Sequence, residues 1–452
     1  MSEARFGRLT GAPATFHLVG ARVIDPANGT DAVRDLAVRD GVIVSELPND
    51  AESIDGRGLV VTPGFCDLHT HLREPGGNGS ETIESGSRAA ARGGFTTICA
   101  MPNTDPPLDT AAAVTDVAGR YVACRVRVIG AATAGRSGVA VADVAAMAGA
   151  GAVGFSDDGA AVADASHVRE LLAALAVLGL PLIEHAEDPV VGGGGVMRAG
   201  PTATRLGLTG WPPEAEVSIV ERDIALAAEA GARLHLTHLS TAGALEAVRR
   251  AKGRGEKVTC DVTPHHFAMT DAWVAGSRRF AWEEPEPQDG LAYDGRCRVN
   301  PPLASREDAL ALLAGVADGT VDAIATDHAP HAPERKLVPF DEAAPGLIGL
   351  ETALSLGLAA VEANKLDLVT LIAALSTRPA SVIGERRGLA IGAEADLVVF
   401  DPDGSWRVEA SVLATASANT PLLGMELPGV VRLTVAGGRA TYRSVSWSVQ
   451  DT

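Results

Sequence analysis

Lysine is nearly missing from this chain of 452 residues, which carries it only at Lys252, Lys257, Lys336 and Lys365. Arg included, 38 basic residues face 57 acidic ones, a formal net charge of −19. A surface so short of positive charge repels nucleic acid and anionic membrane, which excludes both as partners. An anionic small-molecule substrate would need Arg placed locally. Aromatic residues make up only 4%, so Val, Leu, Ile and Ala must build the core. The five cysteines (Cys66, Cys99, Cys124, Cys260, Cys297) are scattered and odd in number, with no Cys-x-x-Cys pair. That excludes a disulfide framework and predicts free thiols in a reducing compartment. No apolar stretch reaches the ~20 residues that span a bilayer, and Met1–Arg5 lacks the apolar core of a secretion signal. Together these place the chain in the cytoplasm.

What is present has two textures. Residues 1–61 read as short β-strands: an apolar run Phe16–Ile24, a turn Pro26-Ala27-Asn28-Gly29, and Asp40-Gly41 between two β-branched runs. Over 62–387 short β-branched runs alternate with Ala- and Leu-rich helical windows. The runs are Val60–Leu68, Phe95–Met101, Val126–Ala131, Ala152–Ser156, Pro181–Glu184, Arg233–Thr237, Lys257–Val262 and Val321–Ala325. Such alternation predicts a parallel (β/α)8 barrel of TIM type, with its active site at the C-terminal ends of the strands. Over 388–452 strand-like text returns, at Ala395–Asp401 and Val430–Val435. Both chain ends are expected to join in one small β-sandwich domain beside the barrel. Gly192–Gly195 reads as a flexible connection, because no Lys-Ser/Thr follows to open a phosphate-binding helix. The Trp-bearing stretch 276–295 reads as surface decoration.

The chemistry-bearing residues sit where those runs end. His69 and His71 are two apart, so on a strand they share a face and can aim at one point. Further strand ends carry Asp157-Asp158-Gly159, Glu184-His185, His235-Leu236-Thr237-His238 and Thr326-Asp327-His328. A lone His at a strand end is usually structural, and Asp-Asp-Gly alone is usually a turn. The joint arrangement on five strands of one barrel is different. His69, His71, Asp158, His185, His238 and Asp327 offer nitrogens and carboxylate oxygens to a common mouth, a mix suited to catalytic zinc. A bound divalent ion brings the pKa of its water towards neutrality. His235 competes with His238, and the later residue, nearer the strand end, is preferred. His265 and His266 are not taken as ligands.

Several longer motifs carry a family resemblance: Asp67-Leu68-His69-Thr70-His71-Leu72-Arg73-Glu74-Pro75-Gly76, Met101-Pro102-Asn103-Thr104, Asp157-Asp158-Gly159, Thr263-Pro264-His265-His266, Asn300-Pro301-Pro302-Leu303 and Ala325-Thr326-Asp327-His328-Ala329-Pro330-His331. The chain resembles the amidohydrolase superfamily and, within it, the bacterial class I dihydroorotases. The resemblance implies reversible ring closure of N-carbamoyl-L-aspartate to L-dihydroorotate. It implies one or two zinc ions, the first on His69, His71 and Asp327, the second on His185 and His238, with Asp158 bridging. It implies that His71, Arg73, Asn103, Asn300 and His331 hold substrate, with Asp327 as general base and then acid. Pro345-Gly346 stands where the family usually has Phe-Gly, whose backbone meets the substrate, so both are taken as substrate contacts; Gly79-Ser80 stands where the family often has Tyr-Lys.

Two other functions compete. Hydantoinases, allantoinases and other dihydroorotases bridge their metals with a carboxylated lysine at the end of the fourth strand, and no lysine lies there; Asp158 must serve instead, which favours the class I dihydroorotases. A non-catalytic scaffold for aspartate transcarbamoylase would have lost metal ligands, whereas all six candidates are present. The expected assembly is a homo-oligomer, with a complex with aspartate transcarbamoylase open to an active enzyme too.

Overall fold

The computed structural model describes residues 5–46, 51–77, 79–120, 122–284 and 292–444. Its centre is a ring of eight parallel strands. These are β1 (Phe65–Thr70), β2 (Phe95–Ala100), β3 (Arg125–Ala131), β4 (Ala152–Ser156), β5 (Pro181–Glu184), β6 (Arg233–Leu236), β7 (Val258–Val262) and β8 (Ala323–Ile324). Each pairs with the next in sequence. A bridge between Thr70 and His328 closes the ring. One helix follows each strand: α1 (Ile83–Gly93), α2 (Ala111–Ala118), α3 (Val144–Gly149), α4 (Ala165–Leu178), α5 (Glu214–Ala230), α6 (Ala242–Gly253), α7 (Arg306–Asp318) and α8 (Ala353–Glu362). The result is a (β/α)8 barrel.

Local sequence explains these helices. Thr82, Thr110, Asp143, Asp164, Thr241 and Ser305 each accept a backbone N–H in the first turn, as short polar N-caps do. Gly94, Gly179, Gly231 and Gly319 close four helices in the left-handed conformation. Cys66, Leu68, Cys99, Ile129, Ile183, Ala323 and Ala325 pack together as one buried cluster. Small and branched residues suffice there, which is how a chain poor in aromatics fills a barrel.

Strands from both chain ends form a second sheet. In it Val60–Pro63 pairs antiparallel with Leu397–Phe400 and parallel with Arg22–Val23. The sheet coils until Gly41 lies against Gly438, where a Cβ on Gly41 would sit 2.9 Å from Gly438 Cα. It thereby encloses its own core of Phe16, Leu18, Val23, Val38, Leu397, Val399, Leu433 and Val435.

The apolar run read as one strand, Val60–Leu68, is two. It breaks at Gly64, whose N–H donates to Asp396 O at 2.9 Å. A Cβ on Gly64 would lie 2.2 Å from the Thr96 side chain. Val60–Pro63 belongs to the end-built sheet and Phe65–Thr70 to the barrel.

The glycine run is packed at its two ends and open between them. Pro189–Gly192 is a helical turn closed by Gly193 in the left-handed region. At Gly195 a Cβ would come within 2.5 Å of the Trp211 backbone, so this end of the run is packed, whereas Gly193 and Gly194 are exposed and a Cβ on Gly194 would meet nothing. In the stretch read as decoration, Phe280 stacks on Trp273 and touches Trp282; residues 285–291 lie outside the described ones. Among the described residues no helix is long and apolar enough to cross a membrane.

Candidate metal centre and substrate pocket

The strand ends converge on Asp158. Its Oδ1 lies 3.3 Å from His69 Nε2 and 3.5 Å from both His185 Nδ1 and His238 Nε2. Its Oδ2 lies 3.6 Å from His71 Nε2. Asp327 Oδ1 is 2.9 Å from His71 Nε2 and 3.5 Å from His69 Nε2. All six side chains are buried. Two triads, His69–His71–Asp158 and Asp158–His185–His238, each bring ligand atoms within 4.8 Å of one another and share Asp158.

Backbone strain aims two of them. His238 has φ 39° and Asp327 has φ 45°, left-handed values that non-glycine residues adopt at a cost and that cluster at functional sites. A turn out of the strand conformation explains why His238 and not His235 enters the cluster. His235 Nε2 instead donates to Asp261 Oδ2 at 2.8 Å. Asp261 also accepts the His238 backbone N–H at 2.7 Å and the Thr237 hydroxyl at 3.1 Å.

That hydroxyl, having donated to Asp261, accepts from His69 Nδ1 at 2.8 Å. When His69 is neutral its hydrogen therefore sits on Nδ1 and its lone pair on Nε2. In the same way Asn103 Oδ1 lies 2.8 Å from His71 Nδ1 and leaves Nε2 to face the carboxylates. Asp157 is turned away, accepting from Ala132 N, Thr133 N and Thr133 Oγ1. Asp67 does likewise with Thr326 N at 3.0 Å.

The field of the site is strongly negative. Burial penalises Asp158 and Asp327 as anions, yet the surrounding imidazoles hold both carboxyls below the usual range. Conversely, burial disfavours protonated His69 and His185. Asp158 and Asp327 overcome this and raise His69 to about 9; Asp158 and Glu187 raise His185 to about 10. A place that draws protons so firmly draws a metal cation as well. His69 Nε2 and Asp158 Oδ1 are buried with no hydrogen-bond partner, a state polar atoms rarely hold without an ion or water. The donor set therefore fits a divalent metal.

A cavity of about 260 Å³ opens beside the cluster. His71, Asp158, His185, His238 and Asp327 line it, as do Arg73, Asn103, Asn300, His331, Pro345 and Gly346; His69 lies behind them. Arg73 has φ 60° and donates through Nε to Pro330 O at 3.2 Å. His331 Nε2 is 2.7 Å from Pro345 O and so carries its hydrogen there; the guanidinium, 3.4 Å away, is a neighbour. Burial, reinforced by Arg73, lowers His331 to about 3, which keeps the ring neutral. Gly346 has φ 130°, and a Cβ there would lie 2.6 Å from Ala329 Cβ and 3.0 Å from His331 Nε2. His265 is buried and burial lowers it to about 4; it is absent from both triads.

Three residues escaped the sequence reading. Arg335 lines the cavity. Asn419 accepts from His331 N at 3.0 Å and donates to Ala329 O and Gly346 O at 3.0 and 3.1 Å. Glu187 lies 3.2 Å from His185 Nε2 and 2.9 Å from Asn300 Nδ2. Only Glu187 left a local signal, a carboxylate two residues after a candidate ligand.

A family model described as dihydro-orotase-like matches residues 58–244. The dihydroorotase of Anaeromyxobacter sp. (strain K) is 46% identical over 432 residues, covering 94% of this chain and 96% of that protein. The dihydroorotase of Geobacter sp. (strain M21) is 43% identical, covering 94% and 98%. Among solved structures, the L-hydantoinase (dihydropyrimidinase) from Arthrobacter aurescens superposes with a TM-score of 0.80 at 25% identity, covering 94% of this chain and 95% of its own. The dihydropyrimidinase from Brevibacillus agri NCHU1002, at 22% identity and a TM-score of 0.77, shares the fold.

Proposed function

The chain belongs to the dihydroorotase family of cyclic amidohydrolases, and from that premise we propose how its own residues carry the reaction. The activity is reversible cyclisation of N-carbamoyl-L-aspartate to L-dihydroorotate, with release of water, in pyrimidine biosynthesis. His69, His71 and Asp327 would hold one zinc ion, and His185 and His238 a second where two are present, with Asp158 available to both. Such an ion supplies Lewis acidity and lowers the pKa of a water at neutral pH.

Arg73 offers a planar fork that matches the substrate carboxylate, and it stands in a chain otherwise dominated by acids. Asn103, Asn300 and His331 add polar contacts, and the backbone of Pro345 and Gly346 forms the facing wall. Asp327, ionised at neutral pH, accepts the proton from the attacking water during ring opening and passes it to the departing ring nitrogen. In ring closure the ureido nitrogen attacks the side-chain carboxyl carbon. Asp327 takes the nitrogen's proton and returns it to a carboxylate oxygen, which leaves as water once one further proton has been taken up from solvent.

The convergence of six buried ligand groups, five of them lining one cavity that also holds Arg73, carries this reading. The absence of lysine from the end of β4 supports a dihydroorotase over a lysine-bridged hydantoinase. The five cysteines, all free and buried, suit the cytoplasm. The test is elemental analysis alongside assays with dihydroorotate, hydantoin and allantoin. One or two zinc ions per chain, loss of activity to a chelator and preference for dihydroorotate are expected. Full activity in protein shown to be metal-free would overturn the metal assignment.

A further inference from the structure

Glu187 stands between the two halves of the site. Its Oε2 lies 3.2 Å from His185 Nε2 and 2.9 Å from Asn300 Nδ2. Its Oε1 accepts the indole N–H of Trp211 at 2.8 Å. Asn300 comes from the stretch before α7, His185 follows β5, and Trp211 lies in the chain leading to α5. Three donors from three segments therefore meet on one carboxylate. A carboxylate accepts on both oxygens and donates on neither. Glutamine has the same size but one accepting oxygen, and its NH2 would face at least one of the three donors.

We propose that Glu187 is a positioning residue that ties metal retention to substrate binding. By accepting from His185 Nε2–H it fixes that imidazole with its lone pair on Nδ1, the nitrogen 3.5 Å from Asp158 Oδ1. By accepting from Asn300 Nδ2 it holds that amide at the cavity wall. Trp211 anchors the carboxylate from behind: it is buried, Gly192 packs against its ring and Gly195 against its backbone. One side chain thus orients a metal-facing imidazole and a substrate-facing amide. Loss of such an outer partner of a ligating histidine costs 10- to 100-fold in metal affinity or activity.

The inference rests on the metal reading above, so the experiment measures both. Wild type, Glu187→Gln, Asn300→Ala and the double variant are compared by zinc content, by zinc competition against a chromophoric chelator, and by KM and kcat for dihydroorotate. Thermal unfolding of each shows that it is folded. In Glu187→Gln, zinc affinity is expected to fall roughly 10- to 100-fold and KM to rise at saturating zinc. The KM rise should vanish when Glu187→Gln is made in the Asn300→Ala background, while the zinc defect persists. Uniform loss of structure would not separate the two effects in this way. Wild type that binds no zinc would overturn the metal reading itself. Zinc-loaded wild type together with a Glu187→Gln variant of unchanged zinc affinity, or additive KM effects, would overturn the role of Glu187.

Discussion

Asp327 occupies a backbone conformation that most side chains avoid, φ 45°, with Oδ1 2.9 Å from His71 Nε2. In the mechanism proposed above, an aspartate held there serves both as a ligand and as the group that moves the proton. Asp327→Asn keeps size and an oxygen but cannot take a proton. A drop in kcat of about 10²- to 10⁴-fold is expected in a sample whose metal content is unchanged. Retention of both metal and near-wild-type kcat would assign the proton to another group. Lys336 gives a test through stability. Its buried ammonium donates to Arg298 O at 3.0 Å and Ala344 O at 2.6 Å. Burial takes its pKa from the usual 10.5 down to about 7. Between those values the unfolded chain binds the proton and the folded chain does not, so folding gains as pH rises through that window. Below about pH 7 both states are protonated and the term is constant. The stability of wild type minus that of Lys336→Met should therefore climb from pH 7 to 10. A flat difference in chemical unfolding midpoints would show that the amine stays charged.

At the scale of elements, the segment carrying Pro345 and Gly346 is fixed by its backbone. Gly346 N donates to Arg298 O at 2.8 Å, and its φ of 130° is open to glycine almost alone. Gly346→Ala should raise KM at least several-fold and lower stability, because the new Cβ meets Ala329 and His331. Steady-state kinetics with an unchanged KM would show that this wall does not touch substrate.

The alternation of elements was legible because parallel strands buried on both faces read as unbroken β-branched runs. The same property hid the break at Gly64, since an apolar run is equally at home in either sheet. The six candidate ligands were legible because they cluster at or just past the ends of five strands, His69 and His71 sharing the first. Glu187 and Asn419 were not, because their meaning lies in partners 113 residues away at Asn300 and 88 away at His331. The packing at Gly195 was hidden for the same reason: its neighbour Trp211 lies beyond a short helix, Pro201–Leu206.

At the scale of the whole molecule, the chain beyond the barrel reaches back into the site. Asn419 holds the backbone of Ala329, His331 and Gly346 together through three hydrogen bonds. Asn419→Ala leaves buried groups without partners, each at about 1–3 kcal/mol. KM is expected to rise while zinc content stays at the wild-type level. A variant with normal KM and lowered zinc would place the effect at the metals instead.

The pairing of Val60–Pro63 with Leu397–Phe400 sets an order in time. During synthesis the first strand leaves the ribosome long before its antiparallel partner exists. At ~5–20 residues per second the intervening chain takes on the order of tens of seconds to make. Throughout that interval one edge of the early sheet is open, and open edges recruit other chains. Translation rate, and whatever shields that edge while the barrel is being made, thus bear on yield as directly as any contact in the finished protein.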